Sequence, residues 1–385
     1  MQCTPTDLRC MNRALELAER GRGGAEPNPL VGCVIAQGEQ IIAEGFHARY
    51  GGAHAEIEAL IAAGARAKGG TLYVTLEPCC HYGKTPPCTE AIIPAGIRRV
   101  VAALRDPFPK VNGGGLRQLA SAGIETEVGL CEEAARRLNA PYLKLLATGR
   151  PWVHGKWAMT LDGKIATRSG YSQWISGPAA RTIAHRLRAR VDAILIGHRT
   201  ADLDNPLLTA RLESTAETGA SSSTSANLPE RVATRIVLDS LARLSANSQL
   251  VKTARQIPVL VACGPDAPGA DIRRLTAAGC EVLPFAAATQ FERTLQLLEE
   301  LGSRKMTNVL VEGGSQVLGT LLDARQIDEV HVFLAPKLFG GAKAISPIAG
   351  AGIDQVAQAI ALDELTSRMV DGDLYLHGRV RNHTL

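Results

Sequence analysis

The residues of this chain that can do chemistry fall into two groups. In the first, His54-Ala55-Glu56 stands just ahead of an Ala-, Ile- and Leu-rich run. Glu77-Pro78-Cys79 comes next, and Cys88 after eight intervening residues. One imidazole and two thiols suit Zn²⁺, and three protein ligands leave a fourth position open to water. Zinc brings the pKa of such a water to about 7, which makes a nucleophile available at neutral pH. Glu56 is only two residues from His54, too close for both to ligate one metal comfortably from one helical turn. It is placed instead to take the water's proton and deliver it to a ring nitrogen and then to departing ammonia. Cys80 competes with Cys79 as a ligand; the position directly after Glu-Pro favours Cys79, with Cys80 turned away or lining the pocket.

The second group begins where an apolar run ends at Val311-Glu312 and passes into Gly313-Gly314-Ser315. Paired glycines let backbone approach a phosphate, and a helix starting there presents free N–H groups to it. The spacing is not the Gly-x-Gly-x-x-Gly of a Rossmann fingerprint, so a conventional dinucleotide fold is not supported. Two candidates for polar catalytic help, Lys156 and Asp204, lie upstream.

The elements that must position these groups can be read from periodicity. Leu8, Met11, Leu15 and Ala18 predict an amphipathic helix over 7–20. Short apolar strands are expected at 30–35, 40–44, 71–75, 99–103 and 124–128. Helices are expected at 54–67, 88–95, 113–122 and 132–146. Both metal-binding cysteines then fall near helix N-termini, where the dipole favours thiolate. Thr148-Gly149-Arg150-Pro151 has the composition of a hinge. Beyond it, strands are expected near 152–158, 193–197, 235–238, 258–262, 280–284, 308–312, 328–334 and 374–380. Helices are expected near 178–190, 270–278, 289–302 and 315–324. Alternating strands and helices mean an α/β layer architecture on both sides of the hinge. The Ser/Thr/Ala/Gly-rich stretch 213–227 cannot pack a core and is expected to be a mobile surface loop.

Composition excludes several classes of function. The 385 residues exceed one ordinary domain and favour two or three. A net charge of +4 with 4% aromatic residues is not the basic, aromatic-lined face that nucleic acids require. No apolar run approaches the roughly 20 residues of a membrane span, and residues 1–20 are too polar for a signal peptide. The nine scattered cysteines do not form a secreted disulfide framework. A cytoplasmic protein is expected.

The first group matches the zinc-deaminase pattern, His-x-Glu and then Pro-Cys with a second cysteine, but with a longer spacer than the usual two residues. That spacer, His81-Tyr82-Gly83-Lys84-Thr85-Pro86-Pro87 before Cys88, resembles the bifunctional riboflavin-biosynthesis deaminase/reductases, as does Asn28-Pro29-Leu30-Val31-Gly32. The remainder of the chain is similar to the same family at Lys156–Ala166, Ser172–Ser176, Thr200–Thr209, Val311–Gly314 and Ala335–Gly341. Phe108, where the family commonly has Asn, and the Met159-Thr160 pair, where it often has small residues, depart from it.

The resemblance implies a cytidine-deaminase-like α/β/α layer domain over 1–148 and a dihydrofolate-reductase-like α/β domain over 149–385. The first would hold one zinc and deaminate 2,5-diamino-6-ribosylamino-4(3H)-pyrimidinone 5′-phosphate. The second would use NADPH to reduce the ribosyl group to ribityl. His54, Cys79 and Cys88 would bind the metal, with Glu56 catalytic. Asn28, His81 and Lys84 would contact the deaminase substrate, Lys84 through its phosphate. Ala158, Trp174, Thr200, Asp204 and the stretch Gly314, Ser315, Gln316, Val317, Leu318, Gly319 and Thr320 would line the cofactor. Ser172, Arg188, Leu208, Arg211 and Glu312 would line the reductase substrate, with Arg188 and Arg211 suited to its phosphate. The expected partners are that small molecule and further copies of the chain, without nucleic acid or membrane. A homologue acting on a related pteridine or flavin-like precursor is the alternative reading.

Overall fold

The computed structural model describes residues 3–211 and 232–381. The Ser/Thr-rich stretch 213–227 lies outside the described residues. The chain divides into two compact units, one formed by Met1–Thr148 and the other by most of the chain from Gly149 onward.

The first unit opens with α1 (Pro5–Glu19), started by a Thr4–Asp7 capping box. Asp7 also accepts hydrogen bonds from Tyr73 Oη and Arg99 Nη1, each at 2.7 Å. One buried carboxylate thus starts the helix and fastens it to the sheet. Strands β1 (Gly32–Gln37) and β2 (Gln40–Phe46) form a hairpin, and α2 (Ala55–Ala63) packs back onto it. Next come β3 (Thr71–Val74), α3 (Cys88–Ile92), β4 (Arg99–Ala102), α4 (Gly114–Ser121) and β5 (Glu125–Val128). The sheet runs in the order β2-β1-β3-β4-β5, antiparallel through β3 and parallel from β3 to β5. Its two faces carry separate apolar clusters, one built around Ile35, Leu72 and Ile92 and one around Met11, Leu17 and Leu104. That is the α/β/α layering expected.

Two elements close the unit where the periodicity predicts one. α5 (Glu132–Leu138) and α6 (Ala140–Thr148) are separated at Asn139. The Asn139 side chain accepts from Leu30 N at 2.7 Å and donates to Leu30 O at 3.0 Å. A tertiary bond therefore interrupts what is locally a continuous helix pattern.

The second unit is built on a nine-stranded sheet in the order β10-β9-β8-β7-β11-β6-β12-β14-β13. Its elements in chain order begin with β6 (Trp152–Thr160), α7 (Pro178–Arg188), β7 (Ala193–Gly197), α8 (His198–Asp204), β8 (Thr234–Leu238), α9 (Gln249–Lys252), β9 (Val259–Cys263) and α10 (Gly269–Ala278). They end with β10 (Glu281–Pro284), α11 (Gln290–Ser303), β11 (Asn308–Val311), α12 (Ser315–Asp323), β12 (Glu329–Ala335), β13 (Leu362–Val370) and β14 (Asp373–Val380). The strands from β10 to β12 are parallel, and β14 and β13 add an antiparallel edge. Central strands such as β9 are buried along their whole length, as a sheet covered on both faces requires. β13 is a strand that sequence reading missed. Its side chains are almost all exposed, so Leu362–Val370 carries no apolar alternation to read. Among the described residues, no helix is long and apolar enough to cross a membrane.

Candidate active sites

In the first unit two close backbone contacts bring the candidate metal-binding residues together. A Cβ on Gly45 of β2 would lie 2.4 Å from Ala55 O and 2.6 Å from Ala59 N, so only glycine lets α2 sit this close to the sheet. His54 is the residue that caps this helix and Glu56 lies in its first turn. On the other side, a Cβ on Gly115 of α4 would lie 1.9 Å from Pro78 O, directly before Cys79. The Glu77 carboxylate holds the same junction. It is buried and accepts backbone N–H bonds from Gly113 at 2.9 Å, Leu116 at 3.2 Å and Asp106 at 3.3 Å. Sequence reading used Glu77 only as part of the motif. The free N–H groups at the start of α4 call for an acceptor, but only the fold brings the Glu77 carboxylate to them from 36–39 residues away.

His54, Cys79 and Cys88 meet, with one ligand atom from each lying within 4.8 Å of the others. His54 Nδ1 is 3.2 Å from Cys88 Sγ and 3.5 Å from Cys79 Sγ. Bonds of about 2.0 Å to nitrogen and 2.3 Å to sulfur put tetrahedral N···S edges near roughly 3.5 Å. The donor set and its spacing fit zinc. His54 Nε2 lies 3.2 Å from Thr85 Oγ1, so the spacer orients the ring from behind. Cys88 begins α3 as expected. Cys79 sits in the loop before it, not at a helix start, but its sulfur accepts the Cys88 backbone N–H at 3.3 Å. Contact with the Cys88 thiol, together with that bond, pulls the Cys79 thiol well down, and Cys88 is pushed up. Cys80 turns away, its thiol donating to Lys110 O at 3.7 Å. Glu56 is buried, and burial together with the Cys79 sulfur pushes its carboxyl up to about 7.

The residues expected around this centre are also placed. Asn28 Nδ2 lies 3.1 Å from His47 Nε2, and the His47 ring meets the His54 ring edge-on at 5.3 Å. His47 was not singled out from sequence; only the fold carries it to the site. Among the described residues His81 Nδ1 is buried without a hydrogen-bond partner, and its ring packs against Phe108. The residue that departs from the family pattern is therefore in contact with the pocket. Lys84 Nζ stands 3.8 Å above the Tyr50 ring.

In the second unit the residues cluster at the C-terminal ends of β6, β7 and β11. Glu312, immediately after β11, is bound through both oxygens by Arg188, at 2.5 and 2.8 Å, and Lys156 Nζ lies 3.6 Å away. Burial alone would raise the Glu312 pKa; the Arg188 and Lys156 charges outweigh it and hold the group near 2. Burial lowers Lys156 in turn. Arg188 also donates to Thr209 O at 3.2 Å, so three of its five N–H groups are engaged and two remain to meet an anion. Arg211, at the end of the described segment, is exposed. Ser172 Oγ donates to Asp204 Oδ1 at 2.9 Å. Two separated motifs join where Asp162 accepts from Phe339 N and Gly340 N at 3.1 and 2.6 Å. Trp174 is 63% exposed, with Arg181 over its ring.

The glycine turn approaches Thr200, whose Oγ1 would be 3.0 Å from a Cβ on Gly314. Gly314, Ser315, Gln316 and Thr320 remain accessible, as does Ala158. Val317, Leu318 and Gly319 are packed inward, and a Cβ on Gly319 would lie 2.3 Å from Ala349 O. The side chains of Val317 and Leu318 point into the core, so these three residues could meet a cofactor only through their backbone. Leu208 is likewise buried in the core cluster around Ile194 and Val237 and does not line a pocket with its side chain.

A cytidine-deaminase-like layer carrying a His-Cys-Cys centre, with a separate reductase sheet after it, defines a class of enzymes with two activities in one chain. Residues 4–104 match the cytidine and deoxycytidylate deaminase zinc-binding region, and residues 151–376 match the RibD C-terminal domain. The chain is 40% identical over 373 residues to riboflavin biosynthesis protein RibD of Actinobacillus pleuropneumoniae, covering 97% of this chain and 95% of that one. It is 39% identical to the Escherichia coli protein of the same name, covering 95% and 97%. Among solved structures, Acinetobacter baumannii RibD superposes with a TM-score of 0.82 at 35% identity, covering 98% of this chain and 99% of that one. The Thermotoga maritima diaminohydroxyphosphoribosylaminopyrimidine deaminase/5-amino-6-(5-phosphoribosylamino)uracil reductase does so at 0.80 and 33%, with the same coverage. The chain belongs to the RibD family, the bifunctional deaminase/reductases of riboflavin biosynthesis.

Proposed function

We propose that Met1–Thr148 is a zinc-dependent pyrimidine deaminase and that the unit beginning at Gly149 is an NADPH-dependent reductase. They act in turn on 2,5-diamino-6-ribosylamino-4(3H)-pyrimidinone 5′-phosphate, removing the 2-amino group and then converting ribosyl to ribityl. The observation that carries this reading is the convergence of His54, Cys79 and Cys88 beside the buried Glu56.

Those three residues would hold one zinc ion, which supplies a water acidic enough to ionise near neutral pH. Glu56 takes up that proton and passes it to the ring nitrogen; it then takes the proton of the hydroxyl formed on the attacked carbon and delivers it to the amino group, which leaves as ammonia; its raised pKa suits both directions. Substrate hydrogen bonds fall to Asn28 and to His81, whose buried Nδ1 lacks a protein partner. Lys84 meets the phosphate. In the reductase, NADPH supplies hydride to C1′ of the sugar. Ala158, Trp174, Thr200, Asp204 and the first turn of α12 hold the cofactor. Ser172, Arg188, Arg211 and Glu312 face the substrate, with Leu208 near it through its backbone and Lys156 set by Glu312. The work of the site is to hold both partners at near-attack distance. The nine free cysteines support a cytoplasmic setting.

The test is direct. Zinc-loaded protein given the diaminopyrimidine releases ammonia and then oxidises NADPH, and light scattering reads the expected homo-oligomer. Absence of ammonia release from this substrate by folded, zinc-loaded protein overturns the reading.

A further inference from the structure

A second ligand cluster lies in the reductase sheet beside Lys156, with His154 two residues before it on β6 and His331 paired with it from β12. β6 and β12 pair so that His154 is opposite Glu329, and β12 and β14 pair so that His331 is opposite His377. Glu329 and His331 are two apart on one strand and so share a face. The fold thereby gathers three imidazoles on a single carboxylate.

Two of the three distances are those of a tetrahedral shell, and the third is a few tenths of an ångström longer. His154 Nδ1, His331 Nε2 and Glu329 Oε1 are separated by 3.4, 3.7 and 3.3 Å. A tetrahedral site with bonds of about 2.0–2.1 Å to nitrogen and oxygen has edges of roughly 3.3–3.4 Å. Each of the three residues is also held from behind. His154 Nε2 lies 3.1 Å from Asn308 Oδ1, and the Asn308 amide is oriented by donating to Thr307 Oγ1 at 3.0 Å. An acceptor at Nε2 puts the proton there and turns the Nδ1 lone pair to the cluster. His331 Nδ1 lies 2.7 Å from Tyr375 Oη, and Glu329 Oε2 accepts from Trp152 Nε1 at 3.2 Å. Outer partners of this kind orient metal ligands. His377, 2.5 Å from Glu329 Oε1, is too close to that oxygen to share a tetrahedron with it; it steadies the carboxylate, and its 31% exposure marks the way in.

We propose that His154, Glu329 and His331 form a second divalent-metal site, of the two-histidine, one-carboxylate type that takes zinc, bridging β6 and β12. Two imidazole nitrogens and one carboxylate oxygen exclude the thiolate-seeking ions and leave a fourth position for water. The site is independent of the cysteine centre in the first unit.

The experiment uses the full chain equilibrated with Zn²⁺ and desalted, with metal counted per chain. The expected result is two equivalents in the wild type, one in Glu329→Gln and one in Cys79→Ser/Cys88→Ser. Co²⁺ substitution of the double serine variant gives visible bands of a tetrahedral site without thiolate charge transfer, and these are lost when Glu329→Gln is added. Glu329→Gln preserves side-chain shape, and a far-UV spectrum confirms that each variant is folded. His377→Ala, which alters a more exposed residue, retains the metal with weakened affinity. A wild type holding one equivalent, all of it lost with the two cysteines, means that the cluster is a proton-bonded network with Tyr375 donating to His331, and overturns the proposal. Equal metal in the double serine variant with and without Glu329→Gln overturns it as well.

Discussion

At the scale of single residues, position relative to burial decides what each ionisable group can do. Glu56 lies beside the proposed metal ligands His54, Cys79 and Cys88 and is not proposed as one. Glu56→Gln is therefore expected to lower the ammonia-release rate by roughly 10²–10⁴-fold while bound zinc, counted by metal analysis, stays constant; parallel loss of metal would reassign Glu56 as a ligand. Glu312 makes a different case. Its folded pKa near 2 lies below the ordinary carboxyl value of 4.5, so the folded state holds the charged form more strongly. The stability this contributes is complete above the unfolded pKa and is lost as pH falls through the folded one. At about 1.4 kcal/mol per pKa shift of one, the contribution is on the order of 3 kcal/mol. Urea midpoints for wild type are expected to drop between pH 5 and pH 3 more steeply than those of Glu312→Gln. At neutral pH that variant, which strands the Arg188 and Lys156 charges, is the less stable. Matching slopes would separate the Glu312 charge from stability.

At the scale of elements, the site is set by how closely helices approach strands. Gly45 admits α2, and Gly115 admits α4 to the turn before Cys79. Gly45→Ala forces α2 outward at a cost of about 1–3 kcal/mol and moves His54 and Glu56 together. Zinc affinity and ammonia release should both fall while NADPH oxidation on pre-deaminated substrate continues. A variant with unaltered zinc affinity would show that α2 can shift without its N-terminus. Most elements were legible because apolar side chains recur at helix or strand spacing. Two departures have physical causes. The break at Asn139 comes from a bond to Leu30, 109 residues away, which no local pattern contains. β13 is exposed on nearly every residue, so no buried face wrote itself into its sequence. The inward turn of Val317 and Leu318 was, by contrast, readable from helical period.

At the scale of the whole molecule, the two compact units allow the two activities to be separated. Cys88→Ser is expected to abolish ammonia release and leave NADPH oxidation of the deaminated substrate at wild-type rate. Arg211→Ala is expected to raise the reductase KM for that substrate and leave deamination unchanged. Coupled assays run separately on the two substrates read both. Equal loss of both activities in either variant would mean that the sites are not independent.

What the sequence indicated by itself was the proposed chemistry of the first centre and the order of the two domains. Ligand types, their spacing and the strand-to-helix junctions are local properties, and a metal needs only a few donors of the right kind. Length allowed two or three domains, and motifs narrowed that to one site on each side of Gly149. Tertiary structure decided what depends on distant partners. It placed His47 beside His54 and joined Asp162 to the loop at Phe339. It paired Arg188 with Glu312, 124 residues away. It also assembled His154, Glu329 and His331 from strands that are neighbours only in the sheet. Sheet register brings such residues together, and register is fixed by which faces the whole fold buries.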